Sequence, residues 1–197
     1  MVVKSIAGHK GAVQHVCLWR EGTVLSSTCD DDRTVRLWDL RSDESRSVRC
    51  VKFGSAADDS FLSCSCFGAS DSELYIACGA SVVRFDDRAG SAVIADGLAL
   101  PKLFTASDEI NELAYNAGTP AMDSGKPLLA AADDTGIVTV VRASDGTVYR
   151  RLDKQHTNVC LRSPTLFIPW FSTDCSFVCV NRSAARPSGT HRQRHVW

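Results

Sequence analysis

The sequence predicts an all-β fold, and two observations support this prediction. Short apolar or alternating runs are separated by clusters of Gly, Asp and Ser, which is the pattern of strands joined by turns. No stretch keeps the 3.6-residue spacing of apolar residues over the length of a helix. In the first unit, residues 12–19, 23–29, 34–40 and 47–53 form four such runs in series. We therefore expect four short strands in one antiparallel meander.

The first unit repeats along the chain, and the later copies resemble it less closely. Residues 34–41, TVRLWDLR, are followed 47 residues later by residues 81–88, SVVRFDDR, in which an aromatic residue, an acid and an arginine stand at the same offsets. A third copy at 128–142 has Val141 and Arg142 in place of the aromatic residue and the acid. A turn-rich insertion at 117–126 lengthens its spacing, and a surface loop absorbs such an insertion at little entropic cost. This period is typical of a propeller or a solenoid.

Composition excludes several classes of protein. The chain has 197 residues, enough for one domain with a sizeable core. Its 22 basic and 23 acidic residues give a formal charge of −1, so no global field would recruit nucleic acid, anionic lipid or an acidic substrate. The first residues lack the features of a secretory signal, and no run approaches the roughly 18 apolar residues that span a bilayer. We expect a soluble intracellular protein of the cytoplasm or nucleus, without a cofactor.

Nine cysteines do not indicate a disulfide framework. An odd number would leave one thiol unpaired, and free cysteines in apolar runs behave as small hydrophobic residues. Six of them fall inside predicted strands: Cys17, Cys29, Cys50, Cys64, Cys66 and Cys78.

Two dipeptides of the first unit resemble the signature of the WD40 family. Gly8-His9 opens the unit and Trp38-Asp39 ends its third strand, at the spacing of that family. The resemblance implies a β-propeller built from four-stranded antiparallel blades. It also implies a buried hydrogen-bonded chain in which a histidine, a serine or threonine, an aspartate and a tryptophan meet. The matching residues of the first blade are His9, Thr28, Asp32 and Trp38, and their expected role is structural.

The resemblance divides the chain into a repeat region and a tail. Residues 1–160 are expected to form an incomplete WD40-type propeller with about three blades and the start of a fourth. The expected blades lie at about 9–56, 57–107 and 108–155. Within the family, this region resembles the WD repeat-containing protein 53 group, through residues 8–40, 47–53, 110–116, 128–136 and 155–160. Residues 161–197 carry five arginines and one acid and are expected to form an irregular, disordered basic tail.

Two four-residue motifs suggest a docking function. Trp38-Asp39-Leu40-Arg41 resembles the motif with which WD40 proteins dock onto the adaptor of cullin-based ubiquitin ligases, and residues 85–88 form a weaker copy. An arginine just after the third strand would be exposed at the rim, where its planar fork can pair with carboxylates or carbonyls of a partner. The expected partner-docking residues are Trp38, Asp39, Arg41, Phe85, Asp86 and Arg88. We expect a non-catalytic protein-interaction scaffold, with an adaptor or substrate receptor of a cullin ligase as the specific hypothesis. The alternative is that Arg41 is an ordinary solvated charge and that Asp39 only caps a turn.

Zinc binding and catalysis are weaker interpretations. One set of residues comes within one position of the spacing of a two-cysteine, two-histidine finger: Cys175, Cys179, His191 and His195. Residues 187–189, Pro-Ser-Gly, would interrupt the helix that such a finger needs, so we predict no metal site. His15 and Cys17 lie on one face of a strand, where a core role is simpler than nucleophilic catalysis. We therefore predict that the protein is not an enzyme.

Two further alternatives follow from the tail and from the number of blades. The arginines of the tail could contact phosphates, although no nucleic-acid-reading module accompanies them. Three blades would leave two apolar faces open, because each blade packs against two neighbours. A truncated propeller without independent function, or one that associates with itself through those faces, is therefore the competing expectation.

Overall fold

The computed structural model describes residues 5–19, 21–42, 47–54, 60–89, 94–118, 120, 123–153, 160–162 and 177–179. The strands are, in chain order, β1 (His15–Leu18), β2 (Val24–Cys29), β3 (Thr34–Asp39), β4 (Arg49–Lys52), β5 (Leu62–Phe67), β6 (Glu73–Cys78), β7 (Ser81–Asp86), β8 (Ile94–Asp96), β9 (Lys102–Thr105), β10 (Ile110–Asn116), β11 (Leu128–Asp133), β12 (Val138–Arg142), β13 (Val148–Leu152), β14 (Cys160–Arg162) and β15 (Phe177–Cys179). Three 3₁₀ turns lie at Asp87–Ala89, Gly97–Ala99 and Asp123–Gly125. The predicted all-β fold is confirmed, since the described residues contain no α-helix.

Three antiparallel sheets follow one another along the chain. Their strand orders are β1-β2-β3-β4, β5-β6-β7-β9 and β10-β11-β12-β13. Each set of four strands is therefore a meander, as in a propeller blade, and in the first sheet a fifth strand, β8, lies beyond β4. We call them the first, second and third blades. No helix in the described residues combines the length and the hydrophobicity that a membrane crossing requires.

The strands of the first blade lie inside the four predicted runs, with shorter ends. The largest difference is at the first strand, which was predicted from residue 12 and begins at His15. The backbone N–H of Ala12 donates to the carboxylate of Asp31 at 2.7 Å instead of joining the strand ladder. The acidic turn at 30–32 therefore holds the loop that precedes β1. The alternation of apolar and polar residues in the sequence does not reveal this role.

Apolar faces join the blades in pairs. The first and second blades share a core that includes Leu37 and Phe53 on one side and Leu74 and Phe85 on the other. The second and third blades share another core that contains, among others, Tyr75, Phe104, Leu113, Leu129 and Val141. The six cysteines predicted to be free thiols are all free. These interfaces set the order in which the blades pack. That order in turn sets the side of the stacked blades on which each strand ends.

One strand departs from the simple meander. β8 follows β7 in the chain but pairs in parallel with β4 of the first blade, with Cys50 opposite Ile94 and Lys52 opposite Asp96. Gly97 follows directly, and a β-carbon there would lie 2.6 Å from the ring of Phe53. The second blade therefore supplies a fifth strand to the outer edge of the first.

Beyond residue 153 the structure describes two short strands. β14 pairs antiparallel with β15, with Cys160 opposite Cys179. The other residues of the predicted tail lie outside the described residues, including Cys175, His191 and His195 of the zinc hypothesis. The division of the chain at residue 160 therefore stays a prediction.

Candidate docking rim and blade network

A buried hydrogen-bonded chain links four side chains of the first blade. Trp38 Nε1 donates to Ser27 Oγ at 2.7 Å, and Ser27 Oγ lies 2.7 Å from His9 Nε2. The other ring nitrogen, His9 Nδ1, lies 3.1 Å from Asp32 Oδ2. Because the Asp32 carboxylate can only accept, the contact with Asp32 assigns a proton to His9 Nδ1. The chain therefore runs from an indole donor to a carboxylate acceptor.

Asp32 ends this chain and also holds the loop that precedes β1. Thr34 Oγ1 donates to Asp32 Oδ1 at 2.5 Å, and the backbone N–H of Lys10 donates to Oδ2 at 2.9 Å. Burial alone would raise the pKa of Asp32, but hydrogen bonds from Thr34, Lys10 and His9 outweigh it and lower the pKa below its ordinary value. The carboxylate is therefore charged at neutral pH and stabilises the folded blade.

The hydroxyl in the chain belongs to Ser27, whereas the sequence predicted Thr28. Successive residues of a strand point to opposite faces, and Ser27 lies opposite Arg36, on the face of β3 that also carries Trp38. Thr28 points to the second blade, where its Oγ1 lies 3.2 Å from Ser65 Oγ. The structure thus brings His9, Asp32 and Trp38 together and corrects the fourth member by one residue.

His9, Cys29 and Asp32 form a group that could hold a metal ion by distance alone. One ligand atom from each lies within 4.8 Å of the others. The hydrogen-bonded chain, however, uses both ring nitrogens of His9, and its Nδ1 carries the proton that Asp32 accepts. Burial raises the pKa of the Cys29 thiol, which opposes the thiolate that a metal needs. The arrangement favours a structural role for the three residues.

At the end of β3, Asp39 and Arg41 form a fork. Arg41 Nε donates to Asp39 Oδ1 and Arg41 Nη2 donates to Oδ2, each at 2.9 Å. The backbone N–H of Arg41 also donates to Oδ1 at 2.9 Å. The hydrogen bond with Asp39 raises the pKa of Arg41. The Arg41 side chain is 68% exposed. Asp39 therefore fixes the guanidinium at the surface and leaves the other three of its five N–H donors for a partner.

The second blade repeats this fork at the end of β7. Arg88 donates from Nε and Nη2 to the two carboxylate oxygens of Asp86, at 3.0 and 2.8 Å, and its side chain is 63% exposed. The hydrogen bond from Arg88 lowers the pKa of Asp86. Asp87, between them in sequence, pairs with Arg49 of the first blade. This ion pair ties the second fork to the first blade.

The aromatic residues of the two motifs are buried beneath the forks. Trp38 is 4% exposed and Phe85 is 2% exposed, so neither side chain can reach a partner. Trp38 anchors its strand through the hydrogen-bonded chain, and Phe85 does so by packing against the first blade. Each of these buried aromatic residues helps to position the arginine that follows it three residues later.

In the third blade, the same strand end carries a third arginine–aspartate pair, which sequence reasoning missed. Arg142 ends β12 and donates from Nε and Nη2 to Asp123, at 2.5 and 3.1 Å. Asp123 belongs to the insertion at 117–126, so the acid comes from outside the repeated unit. An acid in an insertion has no counterpart in the repeat, so the repeat pattern does not predict it. The one sign in the sequence is that Arg142 stands where the other copies have an acid.

His15 and Cys17 of β1 lie where the first blade meets its neighbours. His15 Nε2 lies 3.6 Å from Glu112 Oε1 of the third blade, and Cys17 packs against both interblade cores. Cys64 of β5 is fully buried, and burial raises the pKa of its thiol. A reactive cysteine needs a depressed pKa, so Cys64 is a core residue and not a reactive thiol.

The described fold, three consecutive four-stranded blades of which the first contains a buried Trp–Ser–His–Asp chain, is consistent with an incomplete WD40-type β-propeller. The WD repeat-containing protein 53 homolog of Dictyostelium discoideum is similar to this chain, with 27% identity over 195 residues. The similarity covers 98% of this chain and 49% of that relative, so the chain spans about half the length of the relative it matches. No protein-family model matches the chain. The predicted relationship to WD-repeat proteins is confirmed.

Proposed function

We propose that this chain is a non-catalytic scaffold that docks onto the adaptor of a cullin-based ubiquitin ligase through Arg41, with Arg88 as a second contact. The relationship to a WD-repeat protein supports a protein-interaction scaffold in general. The observation that carries the specific proposal is the pair of exposed Asp–Arg forks, with matching geometry, on two adjacent blades. Such a role places the protein inside the cell, in the cytoplasm or nucleus.

The forks are organised for binding before a partner arrives. A free arginine side chain loses rotamer freedom when it is immobilised at an interface, which costs about 0.5–1.5 kcal/mol. The carboxylates of Asp39 and Asp86 impose that order within the chain. The remaining N–H donors of Arg41 lie in a plane, which suits a carboxylate or two backbone carbonyls better than a point charge does. A rim of this kind favours docking by defined geometry rather than by net charge.

Binding of the purified full chain to the purified ligase adaptor tests the proposal. Arg41→Ala should weaken binding by at least tenfold, and Arg41→Lys should weaken it nearly as much because lysine keeps the charge and loses the fork. Arg88→Ala should have a smaller effect, since its motif is the weaker copy. Arg142→Ala is the matched control, because it removes an arginine at a strand end that lacks the motif.

Three outcomes would contradict the proposal. Equal binding by the wild-type chain and Arg41→Ala, with unchanged circular dichroism, would leave a generic scaffold. If Arg41→Lys bound the adaptor as tightly as the wild-type chain does, charge alone would account for the attraction. Concentration-dependent oligomers that do not bind the adaptor would favour self-association through the open blade faces.

A further inference from the structure

The three blades differ in how their outermost strands are protected. A strand at the edge of a sheet presents unpaired backbone N–H and C=O groups, which another extended segment can complete. In the first blade this edge is occupied, because β8 pairs in parallel with β4. In the second blade, β9 has four residues, and Gly146 of the third blade packs on it. A β-carbon at Gly146 would lie 2.0 Å from the carbonyl oxygen of Leu103.

Among the described residues, nothing covers the outer edge of β13 in the third blade in this way. Its five residues pair with β12 on one side, and no described strand pairs with them on the other. All five side chains are exposed, with the apolar ones at 51% for Val148, 39% for Tyr149 and 38% for Leu152. Arg150 and Arg151 lie between them, without an ion-pair partner among the described residues.

The first blade shows within this chain which kind of segment adds to such an edge. Its outer strand begins and ends with basic residues, Arg49 and Lys52. The segment that covers it supplies Asp96 opposite Lys52 in the strand register. Asp87, nearby in the same stretch of chain, pairs with Arg49. A basic outer strand is thus covered by an extended segment with one acid, Asp96, and the second acid, Asp87, lies in a 3₁₀ turn earlier in the chain.

We propose that β13 is a docking edge for an extended acidic peptide segment of a partner protein, which adds to the third blade as a further strand. Backbone pairing with β13 would supply affinity, as in other cases of strand addition. Arg150 and Arg151 would select acidic side chains, while Val148, Tyr149 and Leu152 offer apolar contact beside them. This surface is distinct from the Arg41 and Arg88 forks and does not depend on the proposed ligase function.

A second copy of the chain is a poorer occupant of this edge. Two β13 strands side by side would place Arg150 and Arg151 of one copy near those of the other, and like charges directly opposite destabilise a strand pair. The same arginines therefore discourage self-pairing and favour an acidic partner.

Fluorescence anisotropy with the full chain and labelled ten-residue peptides tests the proposal. One peptide alternates Glu with Val and Thr, the second replaces each Glu with Lys, and the third is the acidic peptide with every backbone amide N-methylated. The acidic peptide should bind at least about tenfold more tightly than the lysine peptide. Arg150 and Arg151 would each form an ion pair with the acidic peptide, whereas each would be repelled by the lysine peptide. The N-methylated peptide should lose binding because its backbone donors are gone.

Charge reversal supplies the second measurement. Arg150→Glu with Arg151→Glu should reverse the preference towards the lysine peptide, and both side chains are exposed, so the fold should not change. Lys102→Glu with Lys126→Glu is the control, because it makes the same change in net charge on exposed residues outside β13. Equal binding of the acidic and lysine peptides, undiminished binding of the N-methylated peptide, or equal effects of the two double variants would each overturn the proposal.

Discussion

Replacing Ser27 with alanine should destabilise the protein far more than replacing Thr28 with valine, although the residues are neighbours. Ser27→Ala leaves the indole N–H of Trp38 and the Nε2 atom of His9 without their partner inside the blade. Each buried polar group that loses its partner costs about 1–3 kcal/mol, so the expected loss for the two groups is about 2–6 kcal/mol. Thr28→Val keeps the side-chain volume and removes one hydrogen bond to Ser65, so the expected loss is about 1 kcal/mol.

Urea denaturation followed by far-UV circular dichroism measures both changes. Domains are stable by about 5–15 kcal/mol in all, so the Ser27→Ala variant should show a clearly lower midpoint. Unequal slopes of the transitions would mean either that the compactness of the denatured state has changed or that the variant unfolds in more than one step, as repeat arrays can. A loss below about 0.5 kcal/mol for Ser27→Ala, or a larger loss for Thr28→Val, would refute the assignment of the hydroxyl to Ser27.

Three further predictions concern buried contacts. Gly8→Ala should lower the urea midpoint by an amount equivalent to about 1–3 kcal/mol, because its β-carbon would lie 2.6 Å from the Trp38 ring. The lowered pKa of Asp32 contributes stability above its ordinary value near 3.9, and this is lost as pH falls through the folded pKa. The difference in midpoint between wild-type and Asp32→Asn should therefore shrink from pH 7 to pH 3. Tyr75→Phe should cost about 1 kcal/mol by equilibrium denaturation, because it removes a buried hydroxyl that donates to Glu73.

Local alternation and turn residues were enough to place the strands of the first blade. They were also enough to predict that β7 would repeat β3, because the aromatic, acidic and basic residues recur at fixed offsets. The register between strands was the missing quantity for the hydrogen-bonded chain. Cys29 lies opposite Thr34 across the acidic turn, and this pairing puts Ser27, not Thr28, on the face of Trp38. A shift of one residue reverses the face of every side chain.

Long-range pairings were beyond the reach of sequence patterns. Nothing in residues 94–96 indicates that they leave the second blade and pair with β4. The same is true of Arg142, whose partner Asp123 lies in an insertion with no counterpart in the other blades. Both contacts join segments that only the packed blades bring together. The docking edge at β13 was missed for a related reason, since exposure of an edge depends on what else covers it.

Comparison of the first and second blades distinguishes the buried residues that packing requires from the Asp–Arg pair that recurs at the rim. The positions that carry Ser27 and Trp38 in the first blade are Ile76 and Phe85 in the second, and all four side chains are buried. An apolar pair thus replaces the polar chain without opening the interface, so the chain specifies the first blade but is not needed to pack the second. The Asp–Arg fork nevertheless recurs in the second blade with the same hydrogen bonds. In both blades the aspartate also accepts the backbone N–H of the arginine, so turn formation accounts for the aspartate, and the exposed guanidinium is the part of the fork that a function at the rim would use.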